Sequence, residues 1–398
     1  MSEPDNIGDR LRSLREGRSL TRQELADDSG VDVDLIEKLE HGRRQTARHT
    51  SLTRLANALN VGISRLLGGG RPEERAPGTP DDVRQVRDVV ASADSMPGMD
   101  ADDAGEAPDL AELNAAVDAA WHDYRAGNMS RLAGVLPGLI GEARLASSEL
   151  GPGAAGPLAE AHELAARLFV HYGRCDLAEI ATERAIRAAE GGGDELEWET
   201  LHGTYSWTLL CEGRHRASEE HALSIAASTE PAMDETALRD LTVWGGLMLA
   251  AMAAASAAER TASMTEYLGI AGSAAHRFAH DRLDHHVGFG PARVATQATR
   301  DYAMLHEPGL ALRAAEDVHA GELPRRSYGR HLIDVARAQA EIRDLRAAEE
   351  TLRAAESLCA ESFSPAGPAC AVVGDVMVDV GHLTPELRRM ARSVAVQV

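Results

Sequence analysis

Lysine is nearly absent: Lys38 is the only one among 41 basic residues, so the basic chemistry of this chain is almost entirely guanidinium. Aromatic residues are 4% of the 398 positions, although hydrophobic residues are 44%. Alanine supplies much of that fraction, which favours closely packed helices over a sheet built on large rings. The four cysteines, Cys175, Cys211, Cys359 and Cys370, form no CxxC pair. That excludes a thiol-rich metal module and a disulfide framework, and the four read as small buried hydrophobes in a reduced compartment. No Walker loop, GxSxG elbow or HExxH pattern occurs, so the expectation is no enzyme, no cofactor and no metal. The polar, acidic stretch from Met1 to Asp9 lacks the basic and apolar regions of a secretory leader, which points to a cytoplasmic protein. One uncharged run, Leu241 to Ala258, is long enough to span a bilayer. It is mostly small residues between Arg239, Asp240, Glu259 and Arg260, and reads instead as a buried helix with no membrane partner.

Charge is unevenly placed. The formal net charge is −22, yet residues 1–71 hold twelve basic and eleven acidic side chains. Only the front can approach phosphates closely; the acidic remainder cannot wrap nucleic acid along its length.

Residues 6–67 read as five short helices. Leu11 and Leu14, with the stem of Arg15, begin a helical stripe. Thr21 and Glu24 fit a capping box, Leu25 and Ala26 turn inward, and Gly30 stops the second helix. Asp32 can cap a third helix carrying Leu35, Ile36 and Leu39 at core spacing, ended by Gly42. A basic loop follows, then a fourth helix over about 51–59 that buries Leu52, Leu55 and Leu59. Val61 and Ile63 to Leu67 supply the fifth. Residues 68–108, opened by Gly68-Gly69-Gly70, are rich in Gly, Pro, Asp and Ala and read as a flexible linker, with room for a short helix around Asp82–Ala93.

From 109 to 398 the pattern is helix, short break, helix. Gly127, Gly173, Gly213, Pro231, Glu307–Gly309 and Pro324 are among the breaks. Segments of about 14–25 residues striped with alanine suggest paired helices that bury their faces only by stacking on neighbours, an α-solenoid. The repeats are degenerate, roughly 35–45 residues apart. The fold class is therefore all-α.

The front resembles the Xre-type helix-turn-helix family of phage Cro and repressor proteins. Leu20 to Ala26, Gly30-Val31, Leu35 to Gly42, Leu52 to Leu59, Val61 and Leu66-Leu67 carry the likeness. The rear looks like the degenerate tetratricopeptide domain fused to Xre domains in actinobacterial regulators. Leu136 to Leu139, Gly173 to Ala178, Gly288 to Pro291 and His331 to Ala336 carry that one. The architecture is also similar to the Gram-positive quorum-sensing peptide receptors. These resemblances imply a sequence-specific transcriptional regulator that binds double-stranded DNA as a homodimer on a palindromic operator. Its third helix would enter the major groove, presenting Val33, Asp34, Glu37 and Lys38 to the bases. Thr21, Arg22 and Gln23, at the start of the second helix, would hold a phosphate together with the amide ends. Arg43, Arg44 and Arg48 would contact the backbone beyond the recognition helix, positioning the module without specifying sequence.

Alternatives stay open beside this reading. Asp34 can pair with Lys38 at i,i+4 and simply stabilise its helix. The acidity of that helix also fits a protein-interaction scaffold whose front has lost DNA binding, and an effector-independent pleiotropic regulator needs no pocket. The repeat domain can dimerise, and can bind a small molecule or peptide. Trp121, Tyr124, Trp198, Tyr205, Trp207, Trp244 and Tyr267 either line a pocket there or wedge between paired helices. His276, His280, Asp281, Asp284, His285 and His286 form a surface cluster that could seat a metal, though the reading favoured is a histidine-rich surface.

Overall fold

Alanine-rich helices, many of them followed by a residue of positive φ, make up most of the computed structural model. It describes residues 7–16, 18, 20–44, 47, 49–59, 81–92, 109–231, 237–363, 367–379 and 384–394. The chain clusters into two compact units, one of Met1–Gly78, His306–Arg313 and Leu323–Val398, the other of Thr79–Leu305 with Ala314–Glu322.

In the first unit, α1 (Ile7–Glu16), α2 (Arg22–Ser29), α3 (Val33–Glu40) and α4 (His49–Ala58) surround Leu11, Leu25, Ile36, Leu39, Leu52 and Leu55. Those are positions the apolar spacing picked out. The capping box forms as expected: Thr21 accepts from the Glu24 amide, and Glu24 accepts from the Thr21 amide. Gly30 ends α2 in the left-handed conformation at φ 63°. Gly8 matters for a different reason. It lies where α1 crosses the C-terminal end of α3, and a Cβ there would collide with the Leu39 carbonyl oxygen. The expected fifth helix falls outside the described residues.

The second unit opens earlier than 109. The short helix allowed around Asp82–Ala93 is present as α5 (Asp81–Ala91), and its Val83, Val86 and Val90 are core residues beside Leu113, Leu132 and Ile140. The unit therefore begins inside the stretch expected to be a linker.

Helical hairpins follow. In the second unit they are α6 (Leu110–Ala126) with α7 (Met129–Leu150), α8 (Ala155–His171) with α9 (Cys175–Glu190), α10 (Glu195–Cys211) with α11 (His215–Ser228), and α12 (Leu238–Ala257) with α13 (Thr261–Ala275). After them come α14 (Pro291–Met304), which ends that run, and α15 (Pro308–Ala315), most of which clusters with the first unit. In the first unit α16 (Arg325–Glu341) pairs with α17 (Leu345–Leu358), followed by α18 (Ala369–Asp379), which packs on α4, and α19 (Pro385–Ser393). The turns share one device. A left-handed residue ends the first helix at Gly127, Gly173, Gly213, Glu259, His306 and Arg343. At five of the six the next amide donates back five residues: Asn128 to Asp123, Arg174 to Phe169, Arg214 to Leu209, Arg260 to Ala255, Asp344 to Gln339. This is the double-bonded helix ending that closes a tight helix–helix turn.

The uncharged run forms α12, the one described helix long and apolar enough to cross a membrane; two-thirds of its most apolar window is buried in the unit. Trp244 packs there with its indole N–H donating to the Ala226 carbonyl. Between α13 and α14 sits a short antiparallel hairpin, β1 (Arg282–Asp284) and β2 (Val287–Phe289). It rests on α12 at Gly245 and Gly246, whose missing side chains make room for Phe289 and Val287.

The cysteines depart from expectation. Only Cys359 is buried; Cys211 is exposed, and Cys175 and Cys370 lie between. Cys175 and Cys211, 36 positions apart in sequence, perturb each other's titration, Cys175 pushed down and Cys211 up, because the start of α9 meets the end of α10.

Candidate functional site

The turn between α2 and α3 is three residues, Gly30 to Asp32. Asp32 caps α3 by accepting from the Asp34 amide. Ile36 and Leu39 anchor the helix in the core, Leu35 is half-buried, and Asp34, Glu37 and Lys38 project from the open face as exposed side chains. Val33 is half-buried at the edge of that face. Lys38 Nζ lies 2.5 Å from Asp34 Oδ2, and both side chains are at least half exposed. The helix-stabilising pair considered from sequence is thus formed, at the centre of the face that would meet DNA.

Arg43 and Arg44 follow the helix and are exposed; Arg48 lies outside the described residues. Gln23 is exposed on α2 and donates to Asp27 at 2.9 Å. Thr21 is engaged with Glu24 as a cap, its hydroxyl 2.8 Å from Oε2. Arg22 is more constrained than expected. Its Nε donates to Glu40 Oε2 at 2.7 Å. Glu40 is the hub of the domain: its side chain is fully buried and also receives Arg15 Nε at 2.7 Å. Arg15 further donates to the Leu20 carbonyl. Burial pushes the Glu40 carboxyl up, but the hydrogen bonds from Arg15 and Arg22 outweigh it and hold the group below the usual carboxylate range. From sequence, Glu40 was paired with neither Arg15 nor Arg22. The signal was available, since Arg15 continues the inward stripe of Leu11 and a guanidinium there needs an acid.

A second cluster lies in the other unit, on the first helices of adjacent hairpins. Trp121 of α6 is buried, with its indole N–H donating to Glu160 Oε2 of α8 at 2.6 Å. Tyr124 meets it edge-on, and the Arg167 guanidinium lies 5.3 Å from the Trp121 ring centre. Arg167 pairs with buried Glu163, which also accepts from Thr204 of α10 at 2.7 Å. Glu197 stands close by, with no basic partner among the described residues. Burial, then the nearby Glu160 charge, pushes its carboxyl up to about 7. Trp121 and Trp244 are buried, while Tyr205 and Tyr267 are half-buried and donate to Glu179 and Glu219.

The histidine-rich stretch is dispersed. Asp281 caps α14 by accepting from the Ala292 amide. Asp284 pairs with Arg282 at 3.1 Å, and His276 and His280 are exposed. His286 stacks on Trp121 with ring centres 3.6 Å apart. Among the described residues no three potential ligands converge.

Residues 6–67 match the family described as helix-turn-helix domain, in agreement with the geometry of α1 to α4; this part of the chain is a helix-turn-helix domain. Its sequence is similar to the HTH-type transcriptional repressor RghR of Bacillus subtilis (strain 168), 39% identical over 57 residues, which is 14% of this chain and 42% of that protein. It is also similar to the uncharacterized HTH-type transcriptional regulator RghRB of the same organism, 38% identical over 61 residues, 15% of this chain and 44% of that protein. The chain thus spans less than half the length of these curated relatives. Among solved structures, BtubC (BKLC) from P. vanneervenii aligns with 62% of this chain and 90% of its own at 15% identity and a TM-score of 0.39. Bacillus thuringiensis PlcR, solved with the peptide PapR7 and DNA, aligns with 69% of this chain and 95% of its own at 12% identity and a TM-score of 0.25.

Proposed function

We propose that this chain is a sequence-specific, DNA-binding transcriptional regulator. α3 lies in the major groove with Val33, Asp34, Glu37 and Lys38 at the base edges. Arg43, Arg44 and Arg48 neutralise the backbone, and the start of α2, with Thr21, Arg22 and Gln23, abuts a phosphate. The observation that carries the reading is the open face of α3. Asp34, Glu37 and Lys38 are exposed while Ile36 and Leu39 on the opposite side are sealed in the core. A helix fixed by one face and bare on the other is what groove insertion requires.

A single module makes few base contacts. The proposal therefore includes a homodimer, joined through helical repeats, on a palindromic operator with half-sites one helical turn apart. The partner is DNA, so the working location is cytoplasmic. A small molecule or peptide bound by the repeats would act by favouring one dimer geometry over another.

Selection of bound fragments from genomic DNA, followed by affinity measurement from 50 to 300 mM salt, tests this. A palindromic site bound more weakly as salt rises is expected, because counterions are released from each neutralised phosphate. Salt-independent binding, or no enriched site, overturns it. The scaffold reading draws on the Asp34–Lys38 pair and the acidic helix. Replacing Arg43, Arg44 and Arg48 together by alanine separates the two: unchanged DNA affinity favours the scaffold.

A further inference from the structure

The β1–β2 hairpin turns through His285 and His286, both with positive φ, 45° and 62°. A two-residue turn of this kind is normally filled by Asn-Gly or Asp-Gly, because side chains with a full Cβ are strained there. Two histidines give up turn stability, and what they place at the tip is one engaged imidazole. Stacked on Trp121, the His286 ring has both nitrogens in use. Nε2 donates to Glu160 Oε2 at 3.0 Å, and Nδ1 accepts from Arg125 Nη1 at 3.1 Å, since an arginine has no acceptor. Hairpin and cradle are more than a hundred residues apart in sequence.

The base of the hairpin is built to stay. Phe289 is fully buried over Gly245, and Asp281 ties the far end to α14. The tip differs: its bonds are polar, and the Glu160 and His286 side chains keep 31% and 22% of their exposure. An element meant only to seal Trp121 would do so with an apolar side chain, without a strained turn. Beside the cradle, Glu197 Oε1 is buried with no hydrogen-bond partner among the described residues; its carboxylate lies against Gly156, one helical turn before Glu160. A group larger than imidazole could donate to it.

We propose that Trp121, Glu160 and Arg125 form a ligand subsite for a flat nitrogen heterocycle that donates from one edge and accepts at the other, with His286 as the tethered occupant that such a ligand displaces. The subsite supplies the effector site of the regulator reading, and rests on that reading only for the use made of binding. Displacement needs no new bonding pattern: the incoming ring takes the same stack, the same carboxylate and the same guanidinium. The hairpin tip, strained while docked, relaxes on release.

Calorimetry and tryptophan fluorescence on the full chain, with 4-methylimidazole as probe, test the subsite. His286→Ala should bind the probe at least about tenfold more tightly than the unaltered protein, because a tethered competitor has been removed. His286→Asn, which suits the turn but is too short to fill the cradle, should behave alike and guards against a misfolded hairpin. The analogue 1,4-dimethylimidazole, which cannot donate to Glu160, should bind neither variant, and adding Glu160→Leu should abolish binding of the probe. Equal affinity in unaltered and variant proteins, or binding indifferent to Glu160→Leu, overturns the proposal. DNA affinity, measured on the same preparations, keeps the two readings apart. A protein that binds its operator but never the probe sinks the subsite alone, and one that binds the probe but no DNA sinks the regulator alone.

Discussion

Arg15 and Glu40 face each other across the helix-turn-helix core as a two-point pair. Nε donates to Oε1 at 2.7 Å and Nη2 to Oε2 at 3.0 Å, and neither side chain keeps more than a tenth of its exposure. The pair links the first helix to the end of the third. It thereby fixes the angle at which α3 is held out, and Arg22 joins the same carboxylate from the start of α2. One buried acid sets the mutual placement of three helices.

Glu40→Ala should therefore destabilise the helix-turn-helix domain by about 3–5 kcal/mol, because it removes the buried acid shared by Arg15 and Arg22 and leaves Arg15 only the exposed Glu16 at 3.3 Å. The pH dependence has a definite sign. The folded carboxyl titrates below the ordinary carboxylate value, so its stabilisation is present above that value and lost as pH falls through the lowered one. Hydrogen exchange of the α1–α3 amides, followed from pH 7 down to pH 3, should show protection falling steeply at the acid end in the natural chain. Glu40→Ala should be weakly protected throughout.

Gly8→Ala should be damaging although α1 is an ordinary helix at that point. The added methyl would meet the Leu39 carbonyl, so α1 must move off α3 or the contact must break. Overpacking of this kind costs about 1–3 kcal/mol, against a helix-propensity gain of roughly 1 kcal/mol for replacing glycine. A thermal melt in which Gly8→Ala is as stable as the natural chain would show that α1 does not lie as described.

Two buried carboxyls of the second unit should each lower its stability as pH rises, against buried His162 and His202, pushed by burial down to about 3 and about 4, which act in the opposite direction. Glu197 and Glu199 are both pushed from 4.5 up to about 7, first by burial and then by neighbouring carboxylates. For an acid whose folded value is raised, the folded state binds the extra proton. The contribution of each acid is then greatest below about 4.5 and is lost as pH climbs through about 7. Glu197→Gln should remove part of that decline and raise stability at pH 8 by on the order of 1–3 kcal/mol. Denaturant midpoints at pH 5 and pH 8 measure it; a variant with the same pH slope as the natural chain would rule out the unpaired carboxyl as its source.

Much of the helix-turn-helix domain was legible because its signals are local. Thr21 with Glu24, Gly30, Asp32 and the Ile36–Leu39 spacing each act within one helix or one turn. The repeats were half legible for an instructive reason. Their turns all need a left-handed residue, and Gly127, Gly173 and Gly213 announce it. The next three turns use Glu259, His306 and Arg343, residues with no turn signature, so the register fades from the sequence while the backbone keeps it. The placement of His286 on Trp121 could not be read in this way, and of the Arg15–Glu40 pair the sequence showed only a guanidinium on an inward stripe, not its partner. Both join positions distant in sequence, and only packing brings them together.

The acidic exposed face of α3 is the last test of the proposed function. Asp34 holds Lys38 at 2.5 Å with both side chains exposed, so in the free protein the one lysine of the chain is neutralised by its neighbour. If α3 enters the groove as proposed, Asp34 either accepts from a cytosine amino group or only repels phosphate. Asp34→Asn removes the repulsion and frees Lys38 for a phosphate. If the acid only repels, affinity should rise severalfold on every sequence, with the salt slope steeper by about one unit. If Asp34 reads a base, the same change should relax selectivity at one operator position, with a loss of about 1–3 kcal/mol of discrimination there. Lys38→Ala leaves Asp34 and Glu37 uncompensated and should weaken binding under either account. Fluorescence anisotropy across a set of single-base operator variants distinguishes the two roles. Indifference of DNA affinity to both substitutions would mean that α3 does not enter the groove.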